Sequence, residues 1–188
     1  MESRVTDFWL LRSLLFCPAN EHRKVARLAQ SGADAVVLDL EDAVADAHKA
    51  AARTAAREAL SGIAGVTRCV RINSLGTGYA AADVAAVVCP ELEAIVLPKA
   101  ETVQDLRRLD RLIARAEAEN GMRSGAIRVL ALIETWAGIA AGRGNCCGGS
   151  AALPYDIRRG RPRGRSRAVD DPRRSLSGAC LWACQDRL

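Results

Sequence analysis

Several absences bound what this 188-residue chain can be. It has no run approaching the ~20 apolar residues that a bilayer-spanning helix requires. Met1-Glu2-Ser3-Arg4 is followed by only a short apolar patch, too short for the hydrophobic region of a secretory signal, so the expected location is cytoplasmic. The turn after the first strand-like run, Cys17-Pro18-Ala19-Asn20, has no glycine, which argues against a glycine-rich dinucleotide loop. Cys146 and Cys147 are adjacent and lack the two-residue spacer of a zinc knuckle, and Cys180 and Cys184 form no clearer one. Cys17, Cys69 and Cys89 stand singly in apolar surroundings and read as small buried thiols, not as a disulfide framework.

What is there divides at about Arg143. The last 46 positions hold ten Arg, no Lys and four Asp, a net charge of +6; the whole chain carries +5, so residues 1–142 sum to −1. The basic character belongs to the tail. Its arginines sit among Gly, Pro and Ser without interleaved aromatics, a composition expected to stay disordered in preference to forming a folded nucleic-acid surface. Two regions are expected: residues 1–142 as one ordered part, and 143–188 as an irregular tail.

Residues 1–142 repeat a short β-rich run, a polar corner and a helical run. The strand-like runs are Ser13 to Cys17, Ala35 to Leu40, Arg68 to Ile72, Ala94 to Leu97 and Arg128 to Ile133. Their near-continuous Val, Ile, Leu and Ala content is that of parallel strands covered on both faces. A first helix is expected from Asn20 as N-cap, with Val25, Leu28 and Ala29 inward and Gly32 as its stop. Asp46 to Leu60, with Lys49, Arg53, Arg57 and Glu58, reads as an Ala-rich surface helix, and Ala80 to Val88 as a shorter one. Thr102 and Asp105 form a capping-box variant ahead of a stripe of Val103, Leu106, Leu109 and Ile113, and Gly121 closes that helix.

Alternating strands and helices suit either a (β/α)8 barrel or a doubly wound sheet. The position of polar residues favours the barrel. Asp39, Glu41 and Asp42, then Arg71 and Asn73, then Lys99, then Glu134 stand at or just past the C-terminal ends of their strands, where a barrel builds its active site. Glu41, Asp42 and Glu134 come from two strands and can face a hard divalent cation such as magnesium, which keeps waters and uses one or two protein carboxylates. Arg71 offers a planar fork for a carboxylate or enolate-like oxygen. Taken singly, Asp42 could merely cap the next helix and Lys99 could be a solvent-exposed cation. Four successive strand ends carrying such groups point to a site.

Five segments occurring in order carry a resemblance. Leu14-Leu15-Phe16-Cys17-Pro18-Ala19-Asn20, Gly32 through Val44 with its Leu40-Glu41-Asp42-Ala43-Val44, Val70-Arg71-Ile72-Asn73, Val96-Leu97-Pro98-Lys99 and Ala131-Leu132-Ile133-Glu134-Thr135 resemble the citrate lyase beta subunit-like family of the HpcH/HpaI aldolase superfamily. The match runs from about Arg12 to Gly138. The resemblance implies an α/β fold, a partial (β/α)8 TIM barrel of about five β/α units followed by an irregular Arg-rich tail. It implies Glu134 as a direct magnesium ligand, Arg71 as the contact to substrate carboxylate or carbonyl oxygens, and the Glu41–Asp42 pair as the group ordering metal-bound water. The reaction implied is cleavage or formation of a carbon–carbon bond in a 3-hydroxyacyl-CoA, of the citryl-CoA or malyl-CoA type, or in a related thioester. Pyruvate aldolases of the superfamily carry Glu-His where this chain has Glu41-Asp42, so Asp42 favours the lyases over a hydroxy-oxo-acid aldolase.

The family pattern continues into a sixth strand that ends in a second metal-ligating aspartate. Gly144-Asn145-Cys146-Cys147-Gly148-Gly149 does not reproduce it, and Asp156, between Pro154 and Arg158-Arg159, is not assigned that role. The expectation is therefore a lyase half-site that is inactive as truncated, with a shifted reading frame as the account of residues 143–188. The first and fifth strands are expected to be left as open edges. The expected partner is a small acyl-CoA or keto-acid substrate, not a membrane. Family members are usually homo-oligomers. The competing reading is a non-enzymatic unstable fragment or a nucleic-acid binder acting through the Arg-rich tail.

Overall fold

A computed structural model of the chain describes residues 11–136 and, for their backbone, Tyr155–Asp156, Arg161–Pro162 and Cys180–Cys184. Five parallel strands form in chain order: β1 Leu14–Pro18, β2 Ala35–Asp39, β3 Thr67–Arg71, β4 Ala94–Leu97 and β5 Arg128–Ile133. Each pairs with the next, and the order never reverses. A doubly wound sheet would jump at a switch point; the sequential order is that of a barrel wall. Between the strands lie α1 His22–Val25, α2 Lys49–Gly62, α3 Ala80–Val87 and α4 Val103–Glu119. The (β/α) repeat read from the sequence is thus present as four complete units and a fifth strand. No helix among the described residues is long and apolar enough to cross a membrane.

Side-chain alternation splits the core into two layers. Val36, Leu38, Leu40, Val70, Ile72, Ile95, Leu97, Val129 and Ala131 pack outward against helical residues such as Leu60, Val84, Leu109 and Ile113. Ala35, Val37, Cys69, Ala94, Val96, Leu130 and Leu132 form a second cluster on the opposite face. Both faces of the central strands are therefore apolar, which is why those runs show no polar alternation. Burying each of these large side chains contributes about 1.5–3 kcal/mol, and truncating Leu38 or Ile95 to Ala would cost about 2–5 kcal/mol. Cys17, Cys69 and Cys89 are free and buried as expected, and desolvation pushes the Cys69 thiol up to about 12.

The best-marked helix in the sequence is also the best capped. The Thr102 hydroxyl accepts from Asp105 N–H at 3.1 Å, and the Asp105 carboxylate accepts from Thr102 N–H at 2.8 Å, completing the capping box. Gly121, at φ +64, takes the left-handed position that ends α4. Glu117, fully buried, accepts from Gly125 N–H and Ile127 N–H, both at 2.9 Å, and so fastens the end of α4 to the start of β5.

Three local expectations need correction. The first helix is a single turn, its N-cap is Glu21 without a side-chain cap, and a separate 3-10 turn, Leu28–Gln30, follows; Asn20 is not the cap. Val25 and Leu28 are buried, but Ala29 is exposed, because the break in the helix rotates it outward. The Ala-rich helix lies at the surface with Ala51, Thr54 and Glu58 exposed, but Ala52, Ala56 and Leu60 pack into the core and Lys49 is buried with them. Finally, Cys180–Cys184, here β8, pairs antiparallel with β5, Leu130 opposite Ala183, so the fifth strand has a neighbour that the tail's composition did not announce. The two-residue strands β6 Tyr155–Asp156 and β7 Arg161–Pro162 pair with each other. Gly144 to Gly149, the Cys146–Cys147 pair and most of the arginine-rich stretch lie outside the described residues.

Candidate active site

The inward-facing layer changes character at the C-terminal ends of the strands. Val37 is followed two residues on by Asp39, Cys69 by Arg71 and Leu132 by Glu134, so the polar groups continue the alternation that points the apolar ones inward. Asp39 and Arg71 are register partners across β2 and β3. The Arg71 guanidinium donates from Nε to Asp39 Oδ1 at 2.7 Å and from Nη2 to Asp39 Oδ2 at 2.6 Å, a two-pronged charge-assisted pair. Asp39 also accepts from Glu41 N–H and Ala43 N–H, at 2.9 and 3.2 Å, and so shapes the loop after β2. Burial opposes ionisation of Asp39, but the Arg71 fork and these N–H groups outweigh it and hold the carboxyl below its ordinary value. The Phe16 ring lies 5.1 Å from the guanidinium carbon, completing the cradle.

With the Nε/Nη2 edge of the guanidinium committed to Asp39, Arg71 Nη1 faces the candidate site, 3.5 Å from Glu41 Oε2 and 3.8 Å from Asp42 Oδ2. Lys99 approaches from β4. Its Nζ lies 2.7 Å from Glu41 Oε1 and 3.6 Å from Asp42 Oδ1, while its backbone N–H donates to Glu134 Oε1 at 3.1 Å. Lys99 is the one non-glycine residue among those described with positive φ, +52, and that turn aims its N–H and its ammonium at the two acidic walls. Glu41 is buried and Asp42 exposed. Burial raises the Glu41 carboxyl above its ordinary value despite the Lys99 hydrogen bond, and that same bond raises the Lys99 ammonium.

The loop bearing Glu41 and Asp42 rests on a support of which only Asn73 stood out in the sequence as a site residue. Lys49 Nζ, buried at the start of α2, donates to the carbonyls of Leu40, Glu41 and Val44 at 2.9, 2.8 and 3.0 Å. Asn73 Nδ2 donates to the Leu40 carbonyl at 3.0 Å and to Asp83 Oδ2 at 2.7 Å, and Arg53 Nε reaches Asp83 Oδ1 at 2.7 Å. Position i, i+4 between Lys49 and Arg53 was the available signal, but nothing local distinguishes a buried lysine from a solvated one. Asp42 does not cap α2, and Lys99 is not a free surface cation. Glu41, Asp42, Asn73, Lys99, Thr77 and Tyr79 line an open cleft of about 530 Å³ at this end of the sheet.

The donor set suits a hard divalent cation. Asp39, Glu41, Asp42 and Glu134 set four carboxylates against Arg71 and Lys99, and the Lys49 ammonium beneath, bonded to neutral carbonyls, leaves an excess of one negative charge. Glu41 Oε2 is buried without a hydrogen bond. Among the described residues no three carboxylate, His or Cys groups converge on one point.

A family model described as HpcH/HpaI aldolase/citrate lyase matches residues 12–142. Citrate lyase subunit beta from Leuconostoc mesenteroides subsp. cremoris is 37% identical over 132 residues, covering 69% of this chain and 44% of that protein. The chain therefore spans less than half the length of that curated relative. The structure of a citrate lyase beta subunit from M. tuberculosis complexed with oxaloacetate and magnesium aligns with a TM-score of 0.50 and 33% identity, over 72% of this chain and 53% of that one. A lead(II) complex of Haloferax volcanii malate synthase aligns with a TM-score of 0.62 at 19% identity, over 73% of this chain and 45% of that one, a likeness of fold alone.

Proposed function

This chain belongs to the HpcH/HpaI aldolase/citrate lyase family, and we propose that residues 12–136 carry the first half of a magnesium-dependent carbon–carbon lyase site. The substrate class is a 3-hydroxyacyl-CoA of the citryl-CoA or malyl-CoA type, or a related carrier thioester. The observation that carries this reading is the Arg71 guanidinium, gripped on one side by Asp39 and presenting Nη1 toward Glu41 and Asp42. Asp42, in place of the histidine of the pyruvate aldolases, supports a lyase over a hydroxy-oxo-acid aldolase.

Glu134 is the residue of this chain that would hold the ion, with Glu41 and Asp42 facing it through water. Magnesium supplies, when bound, a Lewis acid that stabilises negative charge on the substrate carbonyl as the carbon–carbon bond breaks or forms. Arg71 binds the neighbouring carboxylate or carbonyl oxygen. Because Asp39 fixes the guanidinium in advance, no reorganisation accompanies the appearance of charge, and such preorganised donors are worth several kcal/mol at a transition state. Lys99 holds Glu134 through its backbone N–H and Glu41 through its ammonium, setting the separation of the two acidic walls. The 188-residue polypeptide by itself is proposed to be inactive, since among the described residues no second carboxylate joins Glu134 as a ligand.

The test is a chimera in which residues 12–136 are joined to the remaining β/α units of a full-length relative. It should cleave a malyl- or citryl-type thioester only with magnesium, and the 188-residue chain should not. In the chimera, Arg71→Ala and Glu134→Ala should each lower turnover by roughly two or more orders of magnitude. Near-normal turnover in Arg71→Ala would remove Arg71 from the reaction, and robust turnover by the 188-residue chain would refute the half-site.

A further inference from the structure

Lys99 makes two contacts that pull in different directions. Its backbone N–H is tied to Glu134, 35 positions away, through a left-handed backbone conformation that a lysine adopts only when its surroundings require it. Its ammonium sits between Glu41 Oε1, at 2.7 Å, and Asp42 Oδ1, at 3.6 Å. The first contact belongs to the main chain and does not depend on the side chain. The second occupies the oxygen-lined space between the acidic residues, where excess negative charge makes a cation necessary. The Lys99 side chain is 45% exposed and borders solvent, whereas that of Glu41 is only 6% exposed.

We propose that the Lys99 ammonium is a resident counter-ion for the site, paired with the Glu41 and Asp42 carboxylates that would face, through water, a divalent cation held at Glu134, so that cation binding and the Lys99–Glu41 pair exclude each other. The proposal rests on the magnesium reading above and adds its regulation: the site is never left with all its carboxylates unpaired, and the cation enters by exchange with an internal charge. Lys99 is thus a positioning residue when the site is empty and a competitor for the cation when it fills. Arg71 cannot serve in this way, because the Nε/Nη2 edge of its guanidinium is locked to Asp39 and holds the group in place.

The chain has only three lysines, Lys24, Lys49 and Lys99, which makes the exchange directly observable. Amine acylation followed by mass spectrometry, with exposed Lys24 as internal standard, should show Lys99 becoming more reactive as manganese or magnesium chloride is raised into the millimolar range, while buried Lys49 stays protected. In titrations with manganese chloride, Lys99→Met should raise affinity about tenfold, the step expected for removing one partly screened unit charge beside a cation, and Lys99→Arg should stay near wild type. Without divalent ions, Lys99→Met should lower the unfolding midpoint and the double variant Lys99→Met/Glu41→Gln should restore it. If Lys99→Met changes neither the ion-free midpoint nor manganese affinity, the counter-ion role is wrong. If the ion-free coupling to Glu41 is present but no variant responds to manganese or magnesium, the magnesium reading of the site fails and with it the exchange, while the Lys99–Glu41 pair stands.

Discussion

Asp39 and Arg71 stand opposite each other at the ends of β2 and β3, joined by two hydrogen bonds of 2.7 and 2.6 Å, with side chains 2% and 14% exposed. The pair lies where the apolar inner layer ends, so it is both the lid of that layer and the anchor of the group that faces the cleft. Removing the carboxylate leaves a partly buried guanidinium without its partner and two loop N–H groups without their acceptor. Asp39→Ala should destabilise the protein by about 2–4 kcal/mol in urea unfolding, well beyond an exposed ion pair. A loss below about 0.5 kcal/mol would show that solvent replaces the pair freely.

The same pair fixes a pH dependence. Asp39 has a folded-state value below its ordinary 3.8, so its contribution is fully present above that value and is lost as pH falls through the lower, folded one. Glu41 has the opposite sign. Its folded value lies above the ordinary 4.5, so its ionisation costs stability progressively as pH rises from 4.5 through the folded value. Unfolding free energies measured against pH should therefore lose part of their acid limb in Asp39→Asn. Glu41→Gln should lose the decline above 4.5 and be no less stable than wild type at neutral pH. A steep loss of stability in Glu41→Gln at pH 7 would contradict the sign assigned to Glu41.

Lys49 supports the loop bearing Glu41 and Asp42 through three carbonyls. Lys49→Met keeps the length of the stem but abandons three acceptors, and should cost about 2–3 kcal/mol and speed amide exchange over residues 41–44. Lys49→Arg should not rescue it, because a planar fork does not converge on three carbonyls as a tetrahedral ammonium does. Unchanged exchange in Lys49→Met would mean that Asp39 and Asn73 hold the loop without it.

Divalent-ion binding by the 188-residue chain should be weak, in the millimolar range, since one carboxylate with waters rarely suffices for magnesium. Isothermal titration with magnesium and manganese should show Glu134→Gln abolishing what binding there is. A tight stoichiometric site lost in Glu134→Gln would mean that another part of the chain, or another subunit, supplies a second ligand.

The strands and most helices were legible because their causes are local. Ala94–Leu97 and Arg128–Ile133 are runs of almost wholly aliphatic residues flanked by polar corners, and they form strands with the bounds read from the sequence. The capping box at Thr102 and Asp105 is a four-residue signal and was read correctly. The first helix misled because Asn20 is a good cap by type, yet the chain winds only one turn before breaking at Arg27.

What the sequence by itself determined is the alternation of strand and helix, the two-sided burial of the sheet, and the row of polar residues at its C-terminal end. All three follow from side-chain type and spacing along the chain. The tertiary structure alone decided which charges meet. Arg71 finds Asp39 across 32 positions because parallel register places them side by side, and Lys99 reaches Glu41 across 58 because β4 ends beside the same cleft. Lys49 is buried because α2 turns it under the Glu41 loop, and β5 gains an antiparallel neighbour from Cys180–Cys184. Pairing free energy depends on distance and burial, and neither exists until the chain has folded.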